Sequence, residues 1–379
     1  MIKSCLFVGF LAFSFIHGYA SGEGHRSSLS LSGSDFHRYP ARMLFTPDGT
    51  FIVAYRTSST KNESSTLQIV AFDGRTGHQI GKHSYDVPSA GPAKISNGFV
   101  ISPDGQSIYY VELTGNPVAL EINTSTLGIV SESTARFFDS NDFRPRVEGA
   151  TNNLLFLSAE SKLPGKAVHI IALEGRDLSK KTIDKQIPES AGWGKSYVLS
   201  YGGDSLWMGS GKYWLKIGLE SGRVEAKMNA QNDVNRLMAF SGGLVGMTNL
   251  SSKGFLQLFD RQGHQLRTLE EPHCGFVSVR LSPDEKDGAA VCEKTGTTEW
   301  SFGKTLERKA VVFDARTMAS INSIPLSKLS FKTSIGTGDE SLWFPQPAVY
   351  DSEHTIWMAV PEFSGIITLH AIPLSEHAQ

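Results

Sequence analysis

Five arginines form one set of side chains that could bind a charged ligand. When the chain is aligned on its recurring turns, three of them fall at the start of a strand and two fall two residues further along, on the same side of that strand. The first three are Arg42, Arg144 and Arg236, and the other two are Arg146 and Arg280. A guanidinium group is a planar fork of N–H donors that suits a carboxylate or a phosphate. The sequence therefore predicts an anion site.

Each arginine also has an alternative partner within the chain. Carboxylates occur close by in the sequence, at Glu148, Asp142 and Asp233. A guanidinium group between packed sheets is costly unless it is paired or faces a solvent channel. If the arginines pair locally, their role is structural. If they face a channel together, they can hold an anion.

Aromatic side chains occur in the long connecting segments, where no core is obvious for them to fill. Trp300 and Trp343 are the largest, and Phe137, Phe138 and Phe331 accompany them. An exposed aromatic rim would indicate a partner or ligand site that includes the two tryptophans. The alternative is that the long segments fold back and bury their own aromatic rings.

Reaction motifs are missing from the sequence. It has no Gly-x-Ser-x-Gly elbow, no His-Glu-x-x-His and no phosphate-binding glycine loop. Its histidines are scattered without the spacing of metal ligands, so no metal site is expected. The sequence therefore assigns no catalytic residue and no cofactor.

The elements that would position the arginines are hairpins that recur along the chain. Phe45–Tyr55, Ile101–Val111 and Leu281–Val291 each read as strand, Pro-Asp turn and strand. A second turn with an acidic residue or glycine, as in Val70–Ile80, alternates with the first kind. The two kinds pair seven times, with about fifty residues per pair. Each pair supplies four antiparallel strands. A β-sandwich is disfavoured because it has no fixed four-strand unit.

These hairpins resemble the SPDG-type propellers, including the YVTN-repeat and WD-like families. Phe45–Tyr55, Ile101–Val111 and the Asp73–Gly77 turn carry the resemblance, and Gly211–Val224 is similar to blades of quinoprotein-type propellers. The resemblance implies an all-β, seven-bladed β-propeller of four-stranded antiparallel blades over residues 37–379. It concerns the fold, because one propeller hosts unrelated functions.

The N-terminal residues predict export. Lys3 precedes a short apolar run, and Gly18 and Ala20 form a small-residue cleavage site, so residues 1–20 read as a cleaved signal peptide. Residues 21–36 read as a flexible leader or a late-closing strand. We expect a secreted or periplasmic chain without a transmembrane segment after cleavage. In an oxidising compartment Cys274 and Cys292 are candidates for a disulfide, and two buried thiols are the alternative.

Composition narrows the class of partner. The chain has 379 residues, 40% hydrophobic and 20% charged, with a formal net charge of −2. This balance does not indicate a nucleic acid or an anionic membrane. The leading hypothesis is a binding module with its site on the long-loop face around the central channel, for a protein partner or a small anionic ligand. The alternatives are a structural domain and a propeller enzyme, such as a lactonase-like hydrolase or a quinone-dependent dehydrogenase, acting on an anionic or sugar-derived substrate.

Overall fold

The structure is a computed structural model in which every described secondary-structure element is a β-strand. The described residues are 26–30, 42–46, 48–58, 64–74, 76–88, 97–113, 117–188, 196–248, 253–282, 285–294, 305–306, 308–325, 329–330, 346–350, 355–361 and 366–373. Within them no helix has the length and apolarity that membrane crossing requires.

The strands are short and follow one another through tight turns and loops. In chain order they are β1 (Arg26–Ser30), β2 (Arg42–Phe45), β3 (Thr50–Ser58), β4 (Ser64–Asp73), β5 (Gln79–Pro88), β6 (Asn97–Ile101), β7 (Ser107–Glu112), β8 (Val118–Asn123), β9 (Ile129–Ser133), β10 (Asp142–Ala150), β11 (Leu154–Ser161), β12 (Lys166–Glu174), β13 (Asp177–Pro188), β14 (Ser196–Leu199), β15 (Ser205–Gly218), β16 (Val224–Val234), β17 (Arg236–Phe240), β18 (Gly243–Met247), β19 (Lys253–Asp260), β20 (Gln265–Pro272), β21 (Cys274–Leu281), β22 (Asp287–Lys294), β23 (Thr305–Leu306), β24 (Arg308–Asp314), β25 (Ser320–Pro325), β26 (Leu329–Ser330), β27 (Gln346–Tyr350), β28 (Thr355–Pro361) and β29 (Ile366–Pro373).

The strands form antiparallel sheets that succeed one another along the chain. We number them sheet 1 (β2–β5), sheet 2 (β6–β9), sheet 3 (β10–β13), sheet 4 (β14–β16), sheet 5 (β17–β20), sheet 6 (β21, β22, β24, β25) and sheet 7 (β27–β29 with β1). Among the described residues six of these have four strands and sheet 4 has three, and β23 and β26 form a separate two-stranded ribbon.

The first strands of the sheets form a closed succession. β2 contacts β6, β6 contacts β10, and the contacts continue through β14, β17, β21 and β27 back to β2. The N-terminal strand β1 is the outermost strand of the last sheet, where Arg26 lies opposite His370 and Ser30 opposite Ile366. Sheets arranged radially around a central channel, with the chain ends sharing one sheet, make a β-propeller. The described residues form seven successive sheets. The blade count of seven itself stays a prediction.

The core lies between neighbouring sheets, and alternate side chains of one strand point into different interfaces. Tyr110 packs between sheets 1 and 2, whereas Tyr109 packs between sheets 2 and 3. Leu206 contacts sheet 3, whereas Trp207 packs toward sheet 5. Because both faces are buried, the middle strands read as continuous apolar runs and not as alternating ones.

A hydroxyl side chain holds the turn after the first strand of most sheets. It accepts a hydrogen bond from the backbone N–H that begins the second strand, at 3.0–3.1 Å. The acceptors are Thr46, Ser102, Thr151, Ser200 and Ser282. The turns of sheets 3 and 4 lack Pro-Asp-Gly and still keep this hydroxyl. The hydroxyl is therefore a more persistent mark of the repeat than the proline.

The turn between the third and fourth strands also repeats. An Asp or Asn side chain accepts backbone N–H groups at Asp73, Asn123 and Asp314. Four residues after each of them the chain adopts positive φ, at Gly77 (69°), Leu127 (55°) and Met318 (58°), and the turn before β16 does so at Gly222 (66°). The strand pairing shifts register next to each of these turns. This is the geometry of a hairpin closed by a left-handed residue and a bulge.

Strand β15 is itself a folded hairpin, which explains the three-stranded sheet 4. Its first part pairs with β14 and its second part with β16. Leu219 N donates to Asp204 O at 2.9 Å, so the two parts of β15 also pair with each other. A Cβ on Gly209 would lie 2.7 Å from Trp214 Cα, so the close approach requires glycine.

The structure places some of the segments for which the sequence predicted a leader or an exposed aromatic rim. Arg26–Ser30 is a paired strand, so this part of 21–36 is the closing strand and the ring includes residues before 37. Phe137 does not belong to an exposed rim, because it is 5% exposed and packs in the core between sheets 2 and 3, with Phe138 half-buried against it. The predicted signal peptide (residues 1–20) and the aromatic residues Trp300, Phe331 and Trp343 lie outside the described residues.

Cys292 is disulfide-bonded. It lies opposite Phe276, and Cys274 lies two residues before Phe276 on the same strand. The two cysteines are therefore diagonal neighbours on one face of sheet 6. The register of the pairing between β21 and β22 shifts between Phe276 and Ser278, close to these two positions. The pairing itself stays a prediction, because the side chain of Cys274 lies outside those described.

Substitution of Gly222 tests the positive φ of the repeated turn. We expect Gly222→Ala to destabilise the protein by about 1 kcal/mol, because an L-residue at positive φ is strained. No atom lies within 4 Å of the added Cβ, so steric clash does not contribute. Gly202→Ala is the matched control, since its φ is ordinary and its nearest atom is 3.9 Å away. Urea denaturation measures both, and an equal effect of the two substitutions would contradict the turn geometry.

Candidate functional site

Two of the five predicted arginines come together at the loop end of sheet 3. Arg144 Nη1 and Arg146 Nη2 each lie 3.4 Å from the Glu160 carboxylate. The Arg144 side chain is 70% exposed, whereas that of Glu160 is 15% exposed. The carboxylate therefore lies beneath the guanidinium groups and faces away from solvent. The partner is Glu160 and not Glu148 or Asp142, which sequence proximity suggested.

A β-bulge projects Arg144 from the strand. The pairing of β10 with β11 shifts register between Phe143 and Arg146. Arg144 has a φ of 50°, which is unusual for a non-glycine residue, and it precedes Pro145. Bulges next to functional sites re-aim a side chain, and strained residues persist only where the surroundings hold them. The strain at Arg144 thus marks this part of β10 as a candidate site.

A second cationic side chain, that of Lys162, lies over the Phe143 ring together with Arg144. The Arg144 guanidinium lies 5.6 Å from the centroid of the Phe143 ring, and Lys162 Nζ lies 5.5 Å from it. Both distances are within the range of a cation–π interaction. We call Phe143, Arg144, Arg146, Glu160 and Lys162 the Arg144 cluster.

The same face of sheet 3 continues toward the neighbouring sheet 4. Arg146 lies over the Tyr197 ring at 5.5 Å, and burial together with the Glu160 charge raises the pKa of Tyr197 to about 12. Glu148 accepts a short hydrogen bond from the Ser158 hydroxyl. Burial raises the pKa of Glu148 to about 7, against the lowering effects of Ser158 and Arg146. A carboxyl group that titrates near neutral pH is suited to proton transfer.

The opposite face of sheet 3 holds a histidine between two carboxylates. His169 Nδ1 lies 2.7 Å from Asp142 Oδ2, and Nε2 lies 2.6 Å from Asp184 Oδ1. Burial opposes ionisation of Asp184, but hydrogen bonds from His169 and Lys181 lower its pKa below the usual value. Phe138 packs edge-on against the His169 ring at 5.5 Å. This network ties the start of β10 to β12 and β13 and so positions the Arg144 cluster.

The other predicted arginines lie apart from the cluster. Arg236 is the first residue of β17 and is half-buried. Arg280 is the last residue but one of β21, near the turn end of the channel. It is exposed to solvent, and desolvation by the surrounding protein lowers its pKa. Its described hydrogen bonds go to Met238 Sδ at 3.8 Å and to Val279 O at 3.4 Å.

That the five arginines share one mouth of the channel stays a prediction, although Arg280 lies at the turn end of β21 and Arg144 at the loop end of β10. Arg42 begins β2, but its side chain lies outside those described. Counting residues back from the turn misplaced Arg144 because the two register shifts in β10 add residues to that strand. Sequence reasoning also missed Glu160, Lys162 and Phe143 as parts of the cluster. The only feature of the sequence that could have indicated Glu160 and Lys162 was their position, because they flank Ser161 at the loop end of β11.

Chemically, the Arg144 cluster is an open, positively charged surface with an aromatic centre. No group of three His, Cys, Asp or Glu residues in the described part of the chain has metal-binding geometry. Guanidinium and ammonium groups on a half-buried ring can bind a carboxylate or phosphate group without a metal.

Among the comparisons with known proteins, the search of solved structures supports the fold. No protein-family model matches the sequence, and no curated protein matches it. A chain in the crystal structure of the Mitotic Checkpoint Complex aligns over 96% of this chain and 99% of its own, with a TM-score of 0.53 and 11% identity. The fold is that of a WD40-like β-propeller. A chain of Kuenenia stuttgartiensis hydrazine synthase aligns over 71% of this chain and 75% of its own, with a TM-score of 0.46 and 12% identity. The finer resemblance to SPDG-type and YVTN repeats stays a prediction.

Glu148 gives a pH-dependent prediction. The folded protein binds the Glu148 proton more tightly than the unfolded chain does, so this stabilisation is complete below pH 4.5 and is lost as the pH rises through about 7. Glu148→Gln keeps the contact with Ser158 without the charge. We expect the variant to match the wild type at pH 4.5 and to exceed its free energy of unfolding by about 3 kcal/mol at pH 8.

Urea denaturation across this pH range measures the difference. Glu132→Gln, at an exposed position of β9, is the control and should show no comparable trend. A constant difference between Glu148→Gln and wild type at every pH would contradict the assigned environment of Glu148.

Proposed function

We propose that this chain is an exported interaction module that binds a protein partner on the long-loop face of its propeller, around the channel. The observation that carries the proposal is the Arg144 cluster, in which a strained bulge on the innermost strand of sheet 3 holds an exposed guanidinium group above a half-buried carboxylate. Exposed charged and aromatic groups on rigid strands are typical of recognition surfaces.

The propeller likeness supports a protein partner. The structural neighbour with a TM-score of 0.53 is a chain of a protein complex, the Mitotic Checkpoint Complex. A propeller presents a broad, rigid rim, and its loops can vary without disturbing the sheets.

Export has its own support. The N-terminal residues have the pattern of a signal peptide, and Cys292 is disulfide-bonded. Disulfides persist in secreted and periplasmic proteins and are rare in the cytosol. We therefore place the mature protein in the periplasm or outside the cell.

Site-specific photo-crosslinking tests which face binds the partner. A photoreactive phenylalanine analogue is placed at Asn141 or Pro164 on the long-loop face and at Arg176 or Glu220 on the turn face, all exposed positions. The full chain is expressed in its own organism. We expect a discrete adduct of higher mass from the loop-face positions and none from the turn-face positions. Adducts from the turn face alone would overturn the proposal.

A second function, hydrolysis of an anionic or sugar-derived substrate, has one observation in its favour. Glu148 combines a pKa of about 7 with a position beside Arg146, which resembles an acid–base group next to an anion-binding group. Turnover of a panel of sugar lactones tests it. Activity that falls at least about a hundredfold in Glu148→Gln would support hydrolysis, and equal activity of the two proteins would exclude Glu148 as the acid–base group.

A further inference from the structure

We propose that the Arg144 cluster binds an acidic segment of the protein partner, with carboxylate groups seated on Arg144 and Lys162. This inference rests on the proposed function and names the chemistry of its site. It commits to a peptide carrying Asp or Glu side chains.

The charge arrangement around Glu160 leaves capacity for another anion. One carboxylate serves two guanidinium groups, both at the long distance of 3.4 Å. Among the described residues, the hydrogen bonds of Arg144 come from Nη1 alone, so Nε and Nη2 are available to a ligand. The Arg144 side chain is 70% exposed, so these donors can reach a partner from solvent.

Lys162 supplies a second outward-facing cation at a fixed place. It is exposed, and it forms no ion pair with any described carboxylate. The Phe143 ring holds both cations within 5.6 Å of its centroid. Two positive charges around one ring repel each other, and a carboxylate between them relieves that repulsion. Two carboxylates two residues apart on an extended peptide lie on the same side of it, so each can contact one cation.

The open shape of the cluster favours a peptide over a small molecule. Small-molecule sites are concave and enclose most of the ligand surface. The pocket lined by Ile183, Asp184, Gly203 and Leu219 is elsewhere, between the outer strand of sheet 3 and the turns of sheet 4. The formal net charge of −2 disfavours a nucleic acid, whose phosphates need many cations.

Fluorescence anisotropy with fluorescein-labelled hexaglutamate tests the inference on the full mature chain at low salt. We expect Arg144→Gln and Lys162→Gln each to weaken binding about fivefold, since each removes one cation–carboxylate contact. Arg176→Gln is the control, because it removes an equal charge from an exposed turn at the other end of sheet 3. Glu160→Gln should tighten binding about twofold, because the carboxylate that competes for the guanidinium groups is lost.

Several results would overturn the inference. They are an equal effect of Arg176→Gln, weaker binding in Glu160→Gln, and binding of hexathymidylate as tight as that of hexaglutamate. Lys162→Gln keeps the test valid if Arg144→Gln unfolds the protein, because Lys162 is in no described ion pair. If hexaglutamate does not bind but the loop-face positions still crosslink, the inference of an acidic ligand is wrong and the proposed function stands. If hexaglutamate binds but the loop-face positions do not crosslink, the proposed function is wrong and the anion site stands.

Discussion

Backbone pairing between the first and the last strands of the propeller is the interaction on which the rest of the structure depends. β1 adds to β29, so the two ends of the chain share one sheet. A single sheet of three or four strands exposes apolar faces that it cannot cover alone. Each sheet here covers its faces with its two neighbours, and the ring closes only when sheet 7 is complete. Closure thus converts marginal sheets into one continuous core.

The candidate site is a consequence of how β10 is held within that ring. One face of sheet 3 anchors the start of the strand through the contact of His169 with Asp142, whose side chain is 1% exposed. The other face carries the bulge and the outward guanidinium group of Arg144. A rigid strand on one side and a strained, exposed residue on the other give the positional accuracy that recognition requires. In sheet 3, the face with His169 and Asp142 therefore stabilises the strand, and the face with Arg144 presents the candidate binding group.

Much of the fold was predictable from local chemistry. The turns at Asp48, Asp104 and Asp73 mark hairpins because their residues have few other backbone options. Most of the site was not predictable, because it depends on a register shift within β10 and on pairing between β10 and β11. A bulge has no reliable sequence signal, so counting from the turn misplaced Arg144. Proximity in the sequence suggested Asp142 as one of the candidate partners of the arginines. Asp142 instead binds His169, which is 27 residues away in the chain.

Hydrogen exchange of the backbone amides in Arg26–Ser30 tests ring closure most directly. The amides of β1 that face β29 should exchange far more slowly than those of an unstructured segment, with protection that approaches that of the inner strands. Digestion and mass spectrometry of the full mature chain resolve this segment. If Arg26–Ser30 exchanges at the rate of an unstructured peptide while the inner strands stay protected, the chain ends do not share a sheet and the account of the closed ring is wrong.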